Sequence, residues 1–297
     1  MSLSYDADGA RVKTTTSGNS TAYIGNYYEV KDTPNAWVNV TFAKTVGVNV
    51  TGNTLQRNDG NSNWGGSGAS STAYCAGGSI CAAYASTDNT ATAQMYGLSN
   101  ADTDASYTSI RYRLYLPGNG TVQVYESGAY RGTFGGYGAG DRFSVQAEGD
   151  NKVRYYRLPS GSSTWQLLYT STDIPTYPLR MDSAIHSNGG RLVNMQMYGS
   201  QLKTPTSYYY FGGQRIAMRT PVDGLVWLHS DHLGSSSLTT SNTGAFMGQF
   251  RYKPFGEVRS TSRVMPTNRN LDDGYGLLDF SARHDSYIES GGGGRMY

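Results

Sequence analysis

The sequence predicts an all-β fold, and three observations lead to this class. The 297 residues include 38 Gly and 25 Tyr, but only 15% are charged, which is below the roughly 25% of ordinary soluble domains. Thr, Val and Tyr are abundant, and glycine-rich segments separate them, as is typical of strands joined by tight turns. No stretch of about 12 residues has apolar side chains at helical spacing. The length allows one large domain or two ordinary ones.

The charge is small and evenly distributed. The formal net charge is +2, and no segment has the basic stripe that a phosphate backbone requires, so we expect no nucleic-acid partner. The longest apolar runs, such as 224–228, are strand-sized, so no membrane span is expected. Met1 is followed by SLSYDADG, which lacks the basic and apolar regions of a signal peptide, so none is expected in the chain as given.

Strand-like alternation fills residues 34–200. Apolar and polar side chains alternate over 121–126 and 142–147, and glycine-rich turns lie between the two segments. The same pattern recurs at 153–158, 165–170 and 191–198. Short strands separated by turns at intervals of ~8–12 residues predict a β-sandwich or a barrel.

Cys75 and Cys81 are the two cysteines of the chain. The intervening segment contains two adjacent glycines, which favours a disulfide closing a hairpin loop if the protein is extracellular. The alternative is two free thiols in a strand pair. Two thiolates without a nearby His or a further Cys give zinc too few ligands, so no metal is expected there.

The two ends of the chain contain short motifs that occur in a fixed order. Tyr5-Asp6-x-Asp8-Gly9-x-Arg11 resembles one YD repeat. The later motifs are YF-x-GQR with Gly213 and Arg215, DHLGS with Asp231, His232 and Gly234, RY-x-PFGE with Pro254, Phe255 and Gly256, and GLL-x-F-x-AR over 276–283. Together they resemble the repeat-associated core of the Rhs/YD-repeat family.

This resemblance implies a particular domain organisation. In the family, the segment similar to GNYYEV (25–30) is soon followed by the one similar to YYYFGGQR, whereas here residues 32–206 intervene. We interpret them as an inserted domain, since insertion succeeds at exposed loop tips. The insert resembles a lectin-type jelly roll of the concanavalin or SPRY-like kind. The expected arrangement is YD-repeat strands over 1–31, an inserted β-sandwich over 32–206 and an Rhs-associated core over 207–297, the two outer parts forming an antiparallel hairpin sheet.

The resemblance implies a non-enzymatic structural or interaction protein, extracellular or at the cell surface. So short an Rhs-like portion cannot close a shell, and its unpaired sheet edges invite strand addition from a second copy. A net charge near zero also favours association. We therefore expect a homo-oligomer or a filament that displays the jelly roll. One alternative is a C-terminal fragment of a larger Rhs shell that encapsulates a toxin.

Another alternative is a carbohydrate-binding adhesion module, in which the insert binds a cell-surface glycan. Sugar rings stack on aromatic side chains, while carboxylates and amides bind the hydroxyl groups. Trp37 and Trp165 are expected to fill the sandwich core instead. The candidate sugar contacts are Trp64, Tyr130, Tyr137 and Asp141.

Catalysis and metal binding are not favoured. In His229-Ser230-Asp231-His232 only two side chains share a face of a strand, which is too few for a metal site. Asp6-x-Asp8-Gly9 begins like a calcium loop but does not continue as one, so a hairpin turn explains it better. Glycosidase chemistry needs two facing carboxylates, for which the candidate pairs are Glu126 with Asp141 and Asp272 with Asp273. No nucleophile elbow occurs. We expect no enzyme activity and no cofactor.

Overall fold

The computed structural model describes residues 1–16, 19–101, 105–220, 224–231, 236–253 and 258–262. Within these ranges the protein consists of antiparallel β-strands and one short 3-10 helix, Tyr107–Ser109, so the predicted all-β class is confirmed. In the same residues, no helix has the length and apolar character to cross a membrane. The chain divides into a first unit of residues 1–23 and 29–205 and a second unit of residues 24–28 and 206–297.

Strands follow one another along the chain with short connections. The first are β1 (Ser2–Tyr5), β2 (Arg11–Thr16), β3 (Asn19–Ile24) and β4 (Tyr28–Asp32). Then come β5 (Ala36–Asn39), β6 (Phe42–Val46), β7 (Val48–Thr51), β8 (Thr54–Arg57), β9 (Gly68–Cys75), β10 (Ile80–Ser86), β11 (Ala93–Ser99), β12 (Tyr112–Pro117), β13 (Thr121–Glu126), β14 (Ala129–Gly136), β15 (Arg142–Glu148), β16 (Val153–Leu158), β17 (Gln166–Thr170), β18 (Leu179–Ile185) and β19 (Arg191–Gly199). The last are β20 (Leu202–Phe211), β21 (Gln214–Thr220), β22 (Gly224–Ser230), β23 (Ser236–Ser241), β24 (Phe246–Tyr252) and β25 (Val258–Ser262).

The first unit contains a β-sandwich of two antiparallel sheets. The larger sheet has the strand order β6–β9–β18–β11–β12–β13–β14. The smaller sheet has the order β17–β16–β15–β10–β19; β5 and β8 pair with different parts of β19, and β7 pairs with β8. This is the sandwich that the alternation predicted for the middle of the chain.

Alternate residues of the facing strands form the core between the two sheets. Leu114 and Val124 come from the larger sheet, Val145 and Tyr155 come from the smaller one, and all four are fully buried in one apolar cluster. Because side chains alternate along a strand, the residues directly before and after each of these core residues point away from the core. Those outward positions hold the side chains considered below.

Cys75 and Cys81 form a disulfide, as predicted, and their Cα atoms are 6.0 Å apart. It does not close a hairpin, however, because Cys75 ends β9 of the larger sheet and Cys81 lies in β10 of the smaller one. The connection between the sheets passes through Gly78, whose φ of +103° favours glycine. A Cβ atom there would lie 2.2 Å from the hydroxyl of Ser200. The disulfide therefore joins the two sheets.

The YD-like motif near the start forms a tight turn between β1 and β2. Oδ1 of Asp6 accepts hydrogen bonds from the backbone N–H groups of Asp8 (3.1 Å) and Ala10 (2.8 Å), and Gly9 has φ +80°. The guanidinium of Arg11 lies over the ring of Tyr23 at 5.0 Å. Strands β1 to β3 pair in sequence order, and residues 1–23 group with the sandwich rather than with residues 206–297. This grouping differs from the expected assignment of 1–31 to the Rhs-type part.

The two chain segments that bound the sandwich lie side by side. The N–H of Thr33 donates to the carbonyl of Leu202 at 2.8 Å, and the hydroxyl of Thr204 donates to the carbonyl of Lys31 at 3.1 Å. The sandwich therefore begins and ends at one place.

The second unit is an antiparallel meander in which β20 to β25 pair in sequence order. Gly212 and Gly213, with φ of +58° and +80°, turn the chain between β20 and β21. Arg215 is buried, and its Nε and Nη2 donate to the hydroxyl of Tyr210 at 3.1 and 3.0 Å. A turn at 241–244 joins β23 to β24, and in it the N–H of Gly244 donates to the carbonyl of Ser241 at 3.0 Å.

Several predicted residues lie outside the described ranges, so their roles stay predictions. Among the motif residues, these are His232, Gly234, Pro254, Phe255 and Gly256, with the segment 276–283. Asp272 and Asp273 also fall there.

Candidate functional site

The larger sheet of the sandwich presents a group of aromatic rings on its outward side. Strand register places Tyr115 opposite Met95, and Tyr125 opposite both Arg113 and Tyr130. These residues alternate with core residues, so they share the side of the sheet that faces away from the core. We use the term aromatic face for the rings of Trp64, Tyr107, Tyr115, Tyr125, Tyr130 and His186.

The rings of the aromatic face touch one another in an unbroken series. The ring centroid of Trp64 lies 5.7 Å from that of Tyr115, Tyr115 lies 6.1 Å from Tyr125, and Tyr125 lies 5.3 Å from Tyr130. Trp64 also contacts the ring of Tyr107 at 5.0 Å. The rings are tilted or edge-on, which are the favourable arrangements for aromatic pairs. The series extends from partly buried Trp64 to exposed Tyr130.

A buried arginine, Arg113, contacts two rings of the aromatic face. Arg113 is 2% exposed, and its guanidinium lies 5.4 Å from the ring centre of Tyr107 and 5.3 Å from that of Tyr125. Its Nη1 donates to the carbonyl of Ile110 at 2.7 Å. Burial lowers the pKa of Arg113, yet a guanidinium keeps its proton at neutral pH. The cation therefore attracts the electron-rich ring faces and fixes their orientation.

Trp64 lies in the polar loop 58–66, and Arg57 holds this loop in place. Arg57 is 1% exposed. Its Nε and Nη2 form a two-pronged ion pair with the carboxylate of Asp59 at 2.8 and 3.0 Å. Nη1 and Nη2 also donate to the backbone and side-chain oxygens of Asn63 at 2.6 and 2.9 Å. The residue immediately before Trp64 is thus fixed at two atoms.

Arg57 also fixes the segment that contributes His186. Its Nη1 donates to the carbonyl oxygens of Ile185 and His186, both at 2.9 Å. The rings of His186 and Trp64 lie 5.0 Å apart. One guanidinium therefore positions two ring-bearing segments that are more than 100 residues apart in sequence. The hydrogen bond from Arg57 lowers the pKa of Asp59 to about 2, so this pair is ionised at neutral pH.

The structure brings two of the four predicted sugar contacts onto the aromatic face and places the other two elsewhere. Trp64 and Tyr130 lie at the two ends of the ring series. Tyr137 is 7% exposed and packs edge-on against Phe143, and burial raises its pKa to about 12. With so little of its ring accessible, we leave Tyr137 out of the candidate site.

Asp141 stabilises a turn of the sandwich. It is 3% exposed, accepts hydrogen bonds from the N–H groups of Gly138 (3.0 Å) and Ser160 (2.7 Å), and pairs with Arg157 at 2.7 Å. Burial by itself would raise the pKa of Asp141, but these donors lower it below its ordinary value. Because the carboxylate is enclosed by these partners, we also leave Asp141 out of the candidate site.

The expectation that Trp37 and Trp165 fill the core is wrong. They are 49% and 37% exposed, because both lie on the outward side of the smaller sheet. Sequence reasoning also missed Tyr107, Tyr115, Tyr125 and His186. A signal for Tyr115 was present in RYRLYLP, where Leu114 and Leu116 take the core side and leave Tyr115 on the other.

Glu126 and Asp141, one of the two carboxylate pairs considered for hydrolysis, occupy separate ion pairs. Glu126 is fully buried and accepts hydrogen bonds from the hydroxyl of Tyr155 and Nε of Arg131, both at 3.0 Å. Asp141 is bound by Arg157 instead. In the part of the chain that the structure describes, no three His, Cys, Asp or Glu side chains converge as a metal site would require. In the segment that begins with His229, which was considered as a metal site, Nε2 of His229 lies 3.0 Å from the hydroxyl of Thr240.

No model of a known protein family matches the sequence, and no curated protein matches it. Among solved structures, the PSpry domain of TRIM65 is 14% identical, with a TM-score of 0.39 over 52% of this chain and 90% of that one. The human SPRY domain is 14% identical, with a TM-score of 0.36 over 52% and 96%. The exoplasmic/lumenal domain of VIP36 in its Ca²⁺/Man-bound form is 7% identical, with a TM-score of 0.42 over 60% and 91%. At these TM-scores the similarity is too remote to identify a function. The resemblance to the Rhs/YD-repeat family stays a prediction.

Proposed function

We propose that the chain is a carbohydrate-binding protein without catalytic activity, and that it binds a glycan on the aromatic face of its sandwich. The observation that supports this most is the unbroken ring series from Trp64 to Tyr130 on the outward side of a sheet. The C–H faces of sugar rings stack on aromatic side chains, and the hydroxyls of tyrosines offer hydrogen bonds beside them. A cell-surface or extracellular location is part of the proposal, since disulfides persist in oxidising compartments.

The polar groups around the rings suit a ligand with many hydroxyl groups. Gln123 and Thr133 lie next to the rings on β13 and β14; the hydroxyl of Tyr125 is 3.4 Å from Oε1 of Gln123, and that of Tyr130 is 2.7 Å from the hydroxyl of Thr133. These groups both donate and accept hydrogen bonds. A few placed polar groups beside apolar surface are what a small-ligand site requires.

The site is held rigid before any ligand arrives, which favours binding. Arg57 fixes the loop of Trp64 and the strand end of His186, and Arg113 supports Tyr107 and Tyr125. Side chains that are already ordered lose little conformational entropy on binding. The aromatic face thus resembles a preformed site more than a mobile surface.

A glycan array probed with the full chain tests this proposal. We expect discrete glycans to bind, and we expect the substitutions Trp64→Ala and Tyr130→Ala to weaken that binding at least tenfold. Phe211→Ala, which removes an exposed aromatic ring of the second unit, is the matched control and should bind as the unsubstituted chain does. An array without any bound glycan, or equal binding by all variants, would contradict the proposal.

A second candidate function is self-association through the second unit. Strand register places Tyr209, Trp227 and Phe246 in one row across β20 to β24, with Ala217 and Thr240 between them. The three aromatic side chains are 39–43% exposed. Aromatic side chains are enriched at protein interfaces, so this row is where a second copy of the chain would bind.

A further inference from the structure

The smaller sheet of the sandwich has its own group of outward-facing rings, on the opposite side of the core from the aromatic face. The ring centroids of Trp37 and Tyr84 are 5.8 Å apart, Trp37 and Tyr198 are 5.2 Å apart, and Tyr84 and Trp165 are 6.1 Å apart. We name these four rings the second aromatic face. Its two tryptophans, Trp37 and Trp165, are exposed.

Strand register places this group on a regular grid. One row across the strands contains Trp37, Tyr198, Ala82 and Gln146, in that order on β5, β19, β10 and β15. The next row contains Asn39, Gln196, Tyr84 and Ser144 on the same strands. None of these eight side chains is charged. Ala82, Tyr84 and Ser144 are buried, whereas Trp37 and Trp165 are exposed, so the two tryptophans provide the accessible ring surface.

The amides of the grid are linked to one another but keep hydrogen-bonding capacity. Oδ1 of Asn39 accepts from Nε2 of Gln196 at 2.9 Å and from Nδ2 of Asn53 at 3.2 Å. Among the described residues, Nδ2 of Asn39 donates to no acceptor and Oε1 of Gln196 accepts from no donor. A donor and an acceptor therefore lie beside the exposed ring of Trp37, in fixed orientation.

We propose that the second aromatic face binds a neutral polysaccharide chain, as a site distinct from the aromatic face. Exposed tryptophan rings supply stacking surface, and uncharged amides and hydroxyls match sugar hydroxyls. A polysaccharide with carboxylate or sulfate groups would leave those charges without a cation on the eight grid positions. The ring centroids of Trp37 and Trp165 lie 5.8 and 6.1 Å from that of Tyr84, so two exposed rings are available to stack on successive sugars of one chain.

Two arginines border the grid. Arg154, opposite Gln146 on β16, forms ion pairs with Glu148 and with Asp150, the latter at 2.5 Å. Arg142 lies opposite Ser86, one row beyond Ser144 on the same side of β15, and its charge opposes the rise in the pKa of Tyr84 that burial causes. The eight grid positions themselves carry no charge, which favours neutral chains over acidic ones.

Titration calorimetry of the full chain with soluble polysaccharides tests this site. The probes are hydroxyethyl cellulose, glucomannan and xylan as neutral chains, and alginate as an acidic chain. We expect at least one neutral chain to bind, alginate not to bind, and Trp37→Ala/Trp165→Ala to raise the Kd at least tenfold. Phe211→Ala, which removes an exposed ring of the second unit that lies outside both aromatic faces, should bind as the unsubstituted chain does. If the double variant is unstable, the single substitution Trp165→Ala, which alters a loop residue, should also raise the Kd for the neutral polysaccharide.

The outcomes separate this site from the proposed function. If none of the neutral chains binds, if alginate binds as tightly, or if the double variant binds normally, the second aromatic face is not a polysaccharide site. If Trp64→Ala abolishes polysaccharide binding instead, the polysaccharide binds to the aromatic face. That result would overturn the second site but not the proposed function. If the double variant lowers the mass measured by light scattering, the occupant is a second copy of the protein, and the proposal is likewise overturned.

Discussion

Arg57 connects the Trp64 loop to the strand end that bears His186. Its guanidinium is buried, and each of its three nitrogens donates to at least one oxygen of the surrounding loop or strand end. A sequence does not reveal such a residue, because arginines are usually solvent-exposed and burial depends on tertiary contacts. Trp64 was predictable, since it stands in a run of Asn, Asp, Ser and Gly that favours a loop.

Substitution of Arg57 by methionine should destabilise the sandwich. The change leaves the carbonyls of Ile185 and His186 without their donor, and a buried acceptor without a partner lowers the free energy of unfolding by about 1–3 kcal/mol. Urea unfolding measures the change. Arg142→Met removes an exposed arginine and should differ from the unsubstituted chain by less than ~0.5 kcal/mol. Equal urea midpoints for the two variants would contradict the role of Arg57.

The ion pair of Asp59 should make the Trp64 loop sensitive to strong acid only. The pKa of Asp59 is 3.8 when unperturbed and about 2 in the folded protein, because the Arg57 hydrogen bond favours the carboxylate. A lowered pKa stabilises the folded state fully above pH 3.8, and this contribution is lost as the pH falls through about 2. The indole N–H signal of Trp64 in ¹H–¹⁵N spectra should therefore stay constant from neutral pH to about pH 4 and shift below it.

Two variants check the assignment of this acid transition. In Asp59→Asn the Trp64 signal should already be displaced at neutral pH and should not titrate in the acid range. Asp150→Asn removes a carboxylate paired with Arg154 on the smaller sheet, so it should leave the Trp64 titration unchanged. A Trp64 titration that persists in Asp59→Asn would show that another group causes it.

At the scale of strands, alternation predicted the elements well and their partners poorly. Segments 121–126 and 153–158 coincide with β13 and β16. The hairpin expected between Cys75 and Cys81 was wrong because local turn chemistry cannot distinguish a hairpin from a crossing between sheets. Trp37 and Trp165 were misplaced for a related reason: period-2 alternation identifies two sides of a strand, but aromatic residues on both sides leave the core side undefined.

Gly97, in the middle of β11, should be intolerant of a side chain. A Cβ atom there would lie 1.8 Å from the backbone oxygen of Tyr112 on the neighbouring strand, and backbone cannot move aside as a side chain can. We expect Gly97→Ala to lower the free energy of unfolding by about 3 kcal/mol, the upper range for overpacked sites. Gly138→Ala is the control, because its nearest neighbour would be 4.0 Å away, and it should be nearly neutral in the same urea experiment. Similar losses in both variants would show that backbone contact is not the cause.

At the scale of the whole molecule, the low charge of the chain predicts association between copies. The net charge of +2 gives little repulsion, and the row of Tyr209, Trp227 and Phe246 offers an apolar contact. We expect light scattering to give a mass above 32.2 kDa that rises with concentration, and Trp227→Ser to reduce it. Tyr130→Ser, an exposed aromatic residue of the sandwich, is the control. A constant monomer mass at high concentration would contradict self-association.

The sequence predicts an inserted sandwich over 32–206 between two Rhs-type parts, and this division of the chain stays a prediction. Residue 206 was predicted as the end of the sandwich from the distance between two motifs, and the structure divides the chain at 205/206. Residues 1–23 were assigned by motif to the other part, yet they group with the sandwich. Strand pairing between distant segments is set by contacts that a single sequence does not contain.

The adjacency of Lys31 and Thr33 to Thr204 and Leu202 makes the sandwich a transplantable module. A segment whose two ends lie side by side can replace the tip of a hairpin in another protein without separating the strands of that hairpin. One recombination event is then enough to gain or lose the segment. Engineers could use the same geometry in reverse. Ligating Thr33 to Leu202 through a short linker and opening the chain at another loop would give a permuted sandwich that keeps both the aromatic face and the second aromatic face.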